Sequence, residues 1–167
     1  AMQVNRNDPT TAEIRHDRET LRGIAESIVD SGARTVLTPL AHTGIPAIII
    51  FEATKVADSR GVQVPRIFNT NWDVAGGEIA RQAGRDHMNS FDAVLVVPGG
   101  PEKFFFLGAY QSHVYELTEE VVAAPESPFV LENEFRVGPT SSPYVYFLAG
   151  PQEMGIRLYV RSELAAQ

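Results

Sequence analysis

The chain has 167 residues, of which 44% are hydrophobic and 21% are charged, and its formal net charge is −7. This composition is typical of a globular protein, and the length predicts one domain with a buried core. The negative charge argues against nucleic acid or an anionic membrane surface as a partner, because both require a basic face. The chain contains no cysteine, so disulfides, thiolate nucleophiles and thiolate metal sites are excluded.

The sequence has no feature that predicts export or membrane insertion. No apolar run approaches the ~20 residues that a spanning helix needs, and the N-terminus does not resemble a signal peptide. We therefore expect a cytoplasmic protein without a membrane partner. Residues 1–167 are expected to form a single α+β domain, either as a complete protein or as part of a larger one.

A long amphipathic helix is predicted for the N-terminal segment. Asp8 can serve as its N-cap, and Pro9 suits the first helical position. Gly32 can end the helix after Ser31. The apolar stripe of this helix is narrow, so it needs a partner surface in its own domain or in another subunit.

Three strands are predicted after this helix. Thr35–Leu37 is a short strand, and the wholly apolar Ala47–Phe51 has the composition of a central strand. Val62–Val64 is the third, and Pro65 after it favours an edge position in the sheet.

The middle of the chain predicts helix, strand and helix in succession. The second helix runs from Val74 to about Met88, with Asp73 as its N-cap. Asp92–Val97 is a buried strand, and Pro101 begins the third helix. Apolar residues then recur at helical spacing as far as Val121.

The C-terminal third is predicted to be rich in strands and to lack a helix of useful length. The predicted strands are Phe129–Leu131, Tyr144–Leu148 and Ile156–Val160. Mixed helices and strands followed by strands alone favour an α+β fold with a mixed sheet and about three helices.

The turn between Pro98 and Pro101 is the first candidate for ligand binding. Gly99 and Gly100 precede a helix, as glycines do in phosphate-binding turns. However, Pro101 has no N–H group, and Glu102 adds a negative charge in the first helical turn. A tight strand-to-helix turn is therefore favoured, and Gly99 and Gly100 are kept as weak ligand-binding candidates.

The segment Phe91–Val122 resembles the DJ-1/PfpI class of the glutamine-amidotransferase-like superfamily. In that class, a strand of the type FDAVLVVPGG leads into a turn and a helix. The class places a nucleophilic cysteine after the next strand, whereas the corresponding segment here, Pro128–Asn133, has none. The resemblance therefore implies a non-catalytic member of the class.

A second resemblance concerns the order of elements. The predicted helix, buried strand, helix and strand-only tail between Gly77 and Val160 resemble the apical domain of HK97-type viral capsid and encapsulin shell subunits. This resemblance implies self-assembly, with the chain as a fragment or a reduced relative of such subunits.

Three polar residues are weak candidates for catalytic groups. His42 lies in a strand-connecting turn, Asp73 precedes the second helix, and Glu132 follows a predicted strand. Glu132 and Glu134 would share one face of a strand and could bind a cation or act in acid–base chemistry, although such acids more often face water. The four histidines have no metal-ligand spacing, so no metal site and no cofactor are predicted.

Aromatic residues provide the candidate interface. Phe104, Phe105 and Phe106 are consecutive in a predicted helix and cannot all face one core, since successive residues turn by about 100°. Trp72 is a further large apolar group in a loop. Such surplus aromatics suit contact with another chain or with a ligand, and they are the basis for expecting a homo-oligomer. The alternative is that the domain itself covers both sides of this helix.

Two hypotheses for function follow. The first is a non-catalytic structural or assembly subunit that self-associates through helix surfaces. The second is a small-molecule-binding protein, or a hydrolase- or lyase-type enzyme, with its site at the Pro98–Pro101 turn. In the second hypothesis, His42, Asp73 and Glu132 are the polar groups of the site.

Overall fold

The computed structural model describes residues 11–39, 45–69, 77–98, 109–138 and 154–166. Within these ranges, the chain has the predicted α+β content, with a five-stranded mixed sheet and five helices rather than about three. In chain order, the elements are α1 Thr11–Ser31, β1 Thr35–Thr38, α2 Ile45–Arg60, β2 Arg66–Asn69, α3 Glu78–Asn89, β3 Ala93–Val96, α4 Ala109–Ala123, β4 Phe129–Val137, β5 Met154–Arg161 and α5 Ser162–Ala165.

The sheet has the strand order β2-β1-β3-β5-β4. β1 is parallel to both β2 and β3, whereas β5 is antiparallel to both β3 and β4. β1, β2, β3 and β4 therefore all run in one direction. Their last residues, Thr38, Asn69, Val96 and Val137, lie at one edge of the sheet, which we call the carboxyl edge.

Helices cover both faces of the sheet. α1 and α2 pack against each other on one face, and α3 and α4 pack against each other on the opposite face. Residues of β3 alternate between the two buried clusters, with Ala93 and Leu95 in one and Val94 and Val96 in the other. This alternation is expected for a strand that is buried on both faces.

The apolar stripe of α1 finds its partner surface within the same chain. α1 packs on α2, β4 and β5, and four of its apolar residues are fully buried. These residues are Leu21, Ile24, Ala25 and Ile28. Among the described residues, no helix combines the length and the apolar character needed to cross a membrane.

The predicted strand at Ala47–Phe51 is wrong, because this run lies inside α2. Ile49 and Ala53 are buried one turn apart, whereas Ile50 is exposed, so the burial follows a helical period. A short, wholly apolar run fits either a buried strand or a helix, and periodicity alone does not separate them. The strand predicted at Val62–Val64 is also misplaced, because β2 begins at Arg66, although β2 is an edge strand as expected.

The other predicted elements agree with the structure where it describes them. α1, β1, β3 and β5 match their predicted segments within a few residues, and β4 continues beyond its prediction to Val137. α3 begins at Glu78, and the predicted cap Asp73 lies outside the described residues. The same holds for the predicted strand Tyr144–Leu148 and for the predicted helix start at Pro101.

Asp92 connects three strands at the end of the sheet that lies opposite the carboxyl edge. Its carboxylate accepts hydrogen bonds from the backbone N–H groups of Arg34, at 2.8 Å, and Thr35, at 3.3 Å. Its own N–H donates to the Thr35 hydroxyl at 3.0 Å. Its carbonyl accepts from the N–H of Arg161 at 2.9 Å. One residue thus joins the beginning of β1, the beginning of β3 and the end of β5.

We predict that Asp92→Ala lowers the free energy of unfolding by about 1.5–3 kcal/mol, because two backbone donors lose a charged acceptor. Urea unfolding at neutral pH measures the change. Asp86→Ala is the control, since Asp86 is an exposed acid of α3 that accepts from Gln82, and its loss is expected to stay within about 0.5 kcal/mol. Equal losses in the two variants would contradict the role assigned to Asp92.

Candidate functional site

The strand order reverses direction between β1 and β3. From β1, the chain crosses to β2 on one side, and from β2 it returns to β3 on the other side of β1. In open sheets, the connections that diverge at such a point leave a crevice at the carboxyl ends of the two strands. Here, the crevice position is flanked by Thr38 at the end of β1 and by Val97 and Pro98 after β3.

Two helices begin towards this edge. α2 begins at Ile45, shortly after the end of β1, and α3 follows the end of β2. The N-terminal end of a helix carries unpaired backbone N–H groups and a partial positive charge. The carboxyl edge is therefore the more electropositive edge of the backbone, although the chain as a whole is acidic.

Buried polar side chains are concentrated near the carboxyl edge. Of the four in the described part of the chain, Asp17, Thr38 and Glu52 belong to this region. The fourth, Thr118, lies within α4, where its hydroxyl donates to the carbonyl of Tyr115 at 2.7 Å. Buried polar groups are uncommon unless they have partners, so their position here marks this edge for closer inspection.

Asp17 is 1% exposed and belongs to α1. Its Oδ1 accepts a hydrogen bond from the backbone N–H of Gly138 at 2.9 Å, directly after the end of β4. This contact places the N-terminal half of α1 at the carboxyl edge. It also gives a buried backbone N–H group the acceptor that such a group needs.

Glu52 is 4% exposed and lies between two cations. Its Oε1 is 3.3 Å from Nη2 of Arg18 on α1, and its Oε2 is 3.3 Å from Nζ of Lys55 on α2. Both cations are about half exposed, so the buried carboxylate shares its charge with groups that remain in water. Removing one partner of a buried carboxylate is costly, and this cluster therefore holds α1 against α2.

Tyr115 of α4 adds a buried phenol, and the residue is 2% exposed. It belongs to the same buried cluster as Ile45 and Val97. Burial raises the pKa of the Tyr115 phenol well above its usual value, because the charged form is disfavoured away from water. The phenol is therefore neutral at physiological pH and acts as a hydrogen-bond donor or acceptor rather than as an anion.

Most of the predicted site and interface residues lie outside the described part of the chain. These residues are His42, Trp72, Asp73, Gly99, Gly100, Phe104, Phe105 and Phe106, and their roles stay predictions. Their positions in the chain are informative nevertheless. His42 follows β1, Asp73 follows β2, and Gly99 follows β3, and each of these strands ends at the carboxyl edge.

Glu132 lies apart from this edge. It is an exposed residue of β4 at a bulge, where Leu131 pairs with Tyr159 and Asn133 pairs with Leu158. β5 separates β4 from β3, which places β4 roughly 10 Å from β3 at ordinary strand spacing. The structure therefore does not bring Glu132 to the end of β3.

The expected Glu132–Glu134 pair lies where the pairing of β4 becomes irregular, between Leu131 and Asn133. Because Tyr159 and Leu158 are successive residues of β5, their partners Leu131 and Asn133 occupy opposite faces, and the simple alternation that we expected is lost. Glu134 instead lies 3.5 Å from the Nε atom of Arg157 on the neighbouring strand. Within the part of the chain that the structure describes, no group of three acids or histidines is arranged to hold a metal ion.

Two grooves formed by described residues lie away from the carboxyl edge. One, of about 300 Å³, lies between the C-terminal halves of α3 and α4 and is lined by Gln82, Arg85, Asn89 and Glu120. Arg85 donates to Glu78 at 2.8 Å and holds the pKa of Glu78 below its usual value. The other, of about 220 Å³, lies beside Gly32 and Pro65. Arg85 of the first groove is thus already paired with Glu78 and, at 3.5 Å, with Glu120.

The sequence contains signals for the two buried acids, Asp17 and Glu52, although our sequence-based predictions did not include them. Asp17 is spaced three residues after Ile14 and four before Leu21, so it occupies a position on the apolar stripe of α1. Glu52 interrupts an otherwise apolar run in α2. A charged residue at an apolar position indicates a buried pair, and this signal could have identified both. Thr38 carries no comparable signal, because a threonine at a strand end is ordinary.

Comparisons of this chain with protein-family models, with curated proteins and with solved structures give no match. The resemblances of Phe91–Val122 to the DJ-1/PfpI class and of Gly77–Val160 to shell subunits therefore stay predictions.

We predict that Asp17→Ala lowers the free energy of unfolding by about 1–3 kcal/mol, because the buried N–H of Gly138 loses its acceptor. Asp17→Asn keeps an acceptor oxygen and is expected to cost less. Denaturant unfolding measures both variants, and faster hydrogen exchange at the Gly138 amide in Asp17→Ala alone identifies the contact. Equal exchange rates in the two variants would refute this assignment.

Proposed function

We propose that the protein binds a small polar molecule, of about the size of a nucleotide, at the carboxyl edge between β1 and β3. The observation that carries this proposal is the reversal of strand order at this point, next to the buried Thr38. Ligands of open parallel sheets commonly occupy such a crevice. The N-terminal ends of α2 and α3 at the same edge, together with buried polar groups nearby, support a polar ligand rather than an apolar one.

The proposal includes the candidate residues that follow these strands. His42, Asp73 and Gly99 each follow a strand that ends at this edge, so a hydrolase- or lyase-type reaction with His42 and Asp73 as acid–base groups is part of the same proposal. Such a reaction requires the two side chains to reach one bound substrate. A cytoplasmic location would suit a metabolite or nucleotide as the ligand.

The test is an NMR titration of the amide spectrum with AMP, NAD, FMN and inorganic phosphate as separate probes. We expect at least one probe to shift the amides of Thr38 and Val97. Thr38→Val, which removes one hydroxyl, is expected to weaken that binding by about tenfold, equivalent to one hydrogen bond. Thr118→Val is the matched control, because the Thr118 hydroxyl bonds within α4.

The proposal predicts that the control variant binds as tightly as the unchanged protein. Shifts confined to the groove near Gln82 and Arg85, or an unchanged spectrum with every probe, would count against binding at the carboxyl edge.

A second function, a self-associating structural subunit, is favoured by a different observation. Two large apolar side chains of α2, Ile50 and Phe51, are 41% and 54% exposed. Exposed apolar groups that lie next to each other indicate a contact surface more often than isolated ones do. This proposal concerns a different surface from the carboxyl edge, so the two functions are compatible.

The outermost strands of the sheet, β2 and β4, are poorly suited to pairing with a strand of another copy. This favours association through a helix surface. β2 is only four residues long and follows Pro65, and its first residue, Arg66, is exposed. β4 carries a bulge and the exposed charges Glu132, Glu134 and Arg136. Short length, proline, charge and bulges are the features that discourage edge-to-edge pairing.

The whole chain is predicted to self-associate in a concentration-dependent manner. Sedimentation velocity over a dilution series measures this, and the mean sedimentation coefficient is expected to rise with concentration. A single-chain mass at every concentration would eliminate the assembly function and leave the ligand-binding proposal intact.

A further inference from the structure

The exposed side of α2 carries a row of three residues, Phe51, Lys55 and Asp58, which we call the α2 stripe. Their spacing of four and three residues places them on one side of the helix. Phe51 is 54% exposed, and Lys55 and Asp58 are exposed as well. The Nζ atom of Lys55 lies 4.8 Å from the centre of the Phe51 ring, so the stripe is a connected surface.

The chain directly beyond α2 places another exposed apolar group near the C-terminal end of this helix. Gly61 has a φ of 63°, and the N–H of Val62 donates to the carbonyl of Ala57 at 3.1 Å. This is the arrangement by which glycine ends a helix, and it holds Val62 beside the last turn. Val62 is 49% exposed there. Along the helix axis, the order is therefore apolar, cation, anion and apolar.

This order complements itself when a second copy of α2 runs in the opposite direction. If two copies of α2 lie antiparallel, with a two-fold axis between Lys55 and Asp58, each Lys55 lies opposite the Asp58 of the other copy. In the same arrangement, each Phe51 lies at the level of Val62 of the other copy. A two-fold interface requires a patch that complements itself in this way.

Of the two charged residues on the stripe, only Lys55 has an oppositely charged partner among the described residues of its own chain. Lys55 contacts the buried Glu52 at 3.3 Å, and Glu52 also has Arg18 as a partner. By contrast, the side chain of Asp58 forms no hydrogen bond or ion pair with the described residues of its own chain. A second copy would supply Asp58 with a cation, and Glu52 would retain Arg18.

We propose that two copies of this chain associate through their α2 stripes as an antiparallel, two-fold symmetric helix pair. This proposal rests on the second proposed function, and it names both the partner and the surface. The charge complementarity of Lys55 and Asp58 selects a second copy over an unrelated partner. The stripe is small beside a standard interface of ~20–30 residues per partner, so the pair is expected to dissociate on dilution.

The test compares dimer dissociation constants, measured by sedimentation equilibrium, for charge and apolar variants of the whole chain. Asp58→Lys places like charges opposite each other and is expected to raise the Kd at least about tenfold. The double variant Asp58→Lys with Lys55→Asp restores opposite charges and is expected to recover most of the affinity. Recovery by the charge swap is the result that only a Lys55–Asp58 contact between copies explains.

A second pair of variants leaves Lys55 unchanged, because the double variant loses the contact of Lys55 with the buried Glu52 and could therefore fold less well. Phe51→Ser removes the largest apolar group of the stripe and is expected to raise the Kd about tenfold. Ile79→Ser is the matched control, since Ile79 is an 87% exposed apolar residue of α3, away from α2. The control is expected to leave the Kd unchanged.

The outcomes separate this inference from the function on which it rests. If the unchanged protein dimerises but Phe51→Ser and Asp58→Lys leave the Kd as it was, the α2 stripe is the wrong surface and self-association itself stands. The stripe is equally refuted if Ile79→Ser weakens dimerisation as much as Phe51→Ser does. If the unchanged protein is monomeric at every concentration, both proposals are overturned.

Discussion

The hydrogen bonds of Asp92 determine how the two halves of the sheet meet. The Asp92 carboxylate accepts from the backbone at the beginning of β1, and its carbonyl accepts from the end of β5. These contacts set β3 between β1 and β5, where Val36 pairs with Ala93 on one side and Val160 pairs with Ala93 on the other. A parallel pair and an antiparallel pair thus share one central strand.

The common direction of four strands has a direct consequence for function. Because β1, β2, β3 and β4 all end at the carboxyl edge, the connections that follow them begin there, and so do α2 and α3. Asp17 anchors the N-terminal half of α1 at the same edge through Gly138. The opposite edge is closed by short connections and by backbone hydrogen bonds. Functional groups therefore have room to accumulate at one edge of this sheet.

α2 links the core to the outer surface of the molecule. Its inner side buries Ile45, Ile49 and Ala53, and Glu52 joins it to Arg18 of α1. Its outer side remains apolar at Ile50 and Phe51. An apolar helix surface that its own domain leaves exposed is a candidate contact surface. The two proposed functions thus use separate surfaces of the molecule, namely the carboxyl edge and the outer side of α2.

Local patterns in the sequence were sufficient for the long first helix, the buried strand β3 and the strand-rich C-terminal third. Each of these depends on a period or a composition that a short window contains. The helical state of Ala47–Phe51 could not be obtained in this way, because an apolar run suits a central strand equally well until packing against α1 is known. The partners of Asp17 and Glu52, the burial of Thr38 and the bulge in β4 were likewise decided only by the tertiary structure. They depend on contacts between residues that are distant in the chain, such as Asp17 with Gly138 and Arg18 with Glu52, and no local pattern specifies which partner a side chain will meet.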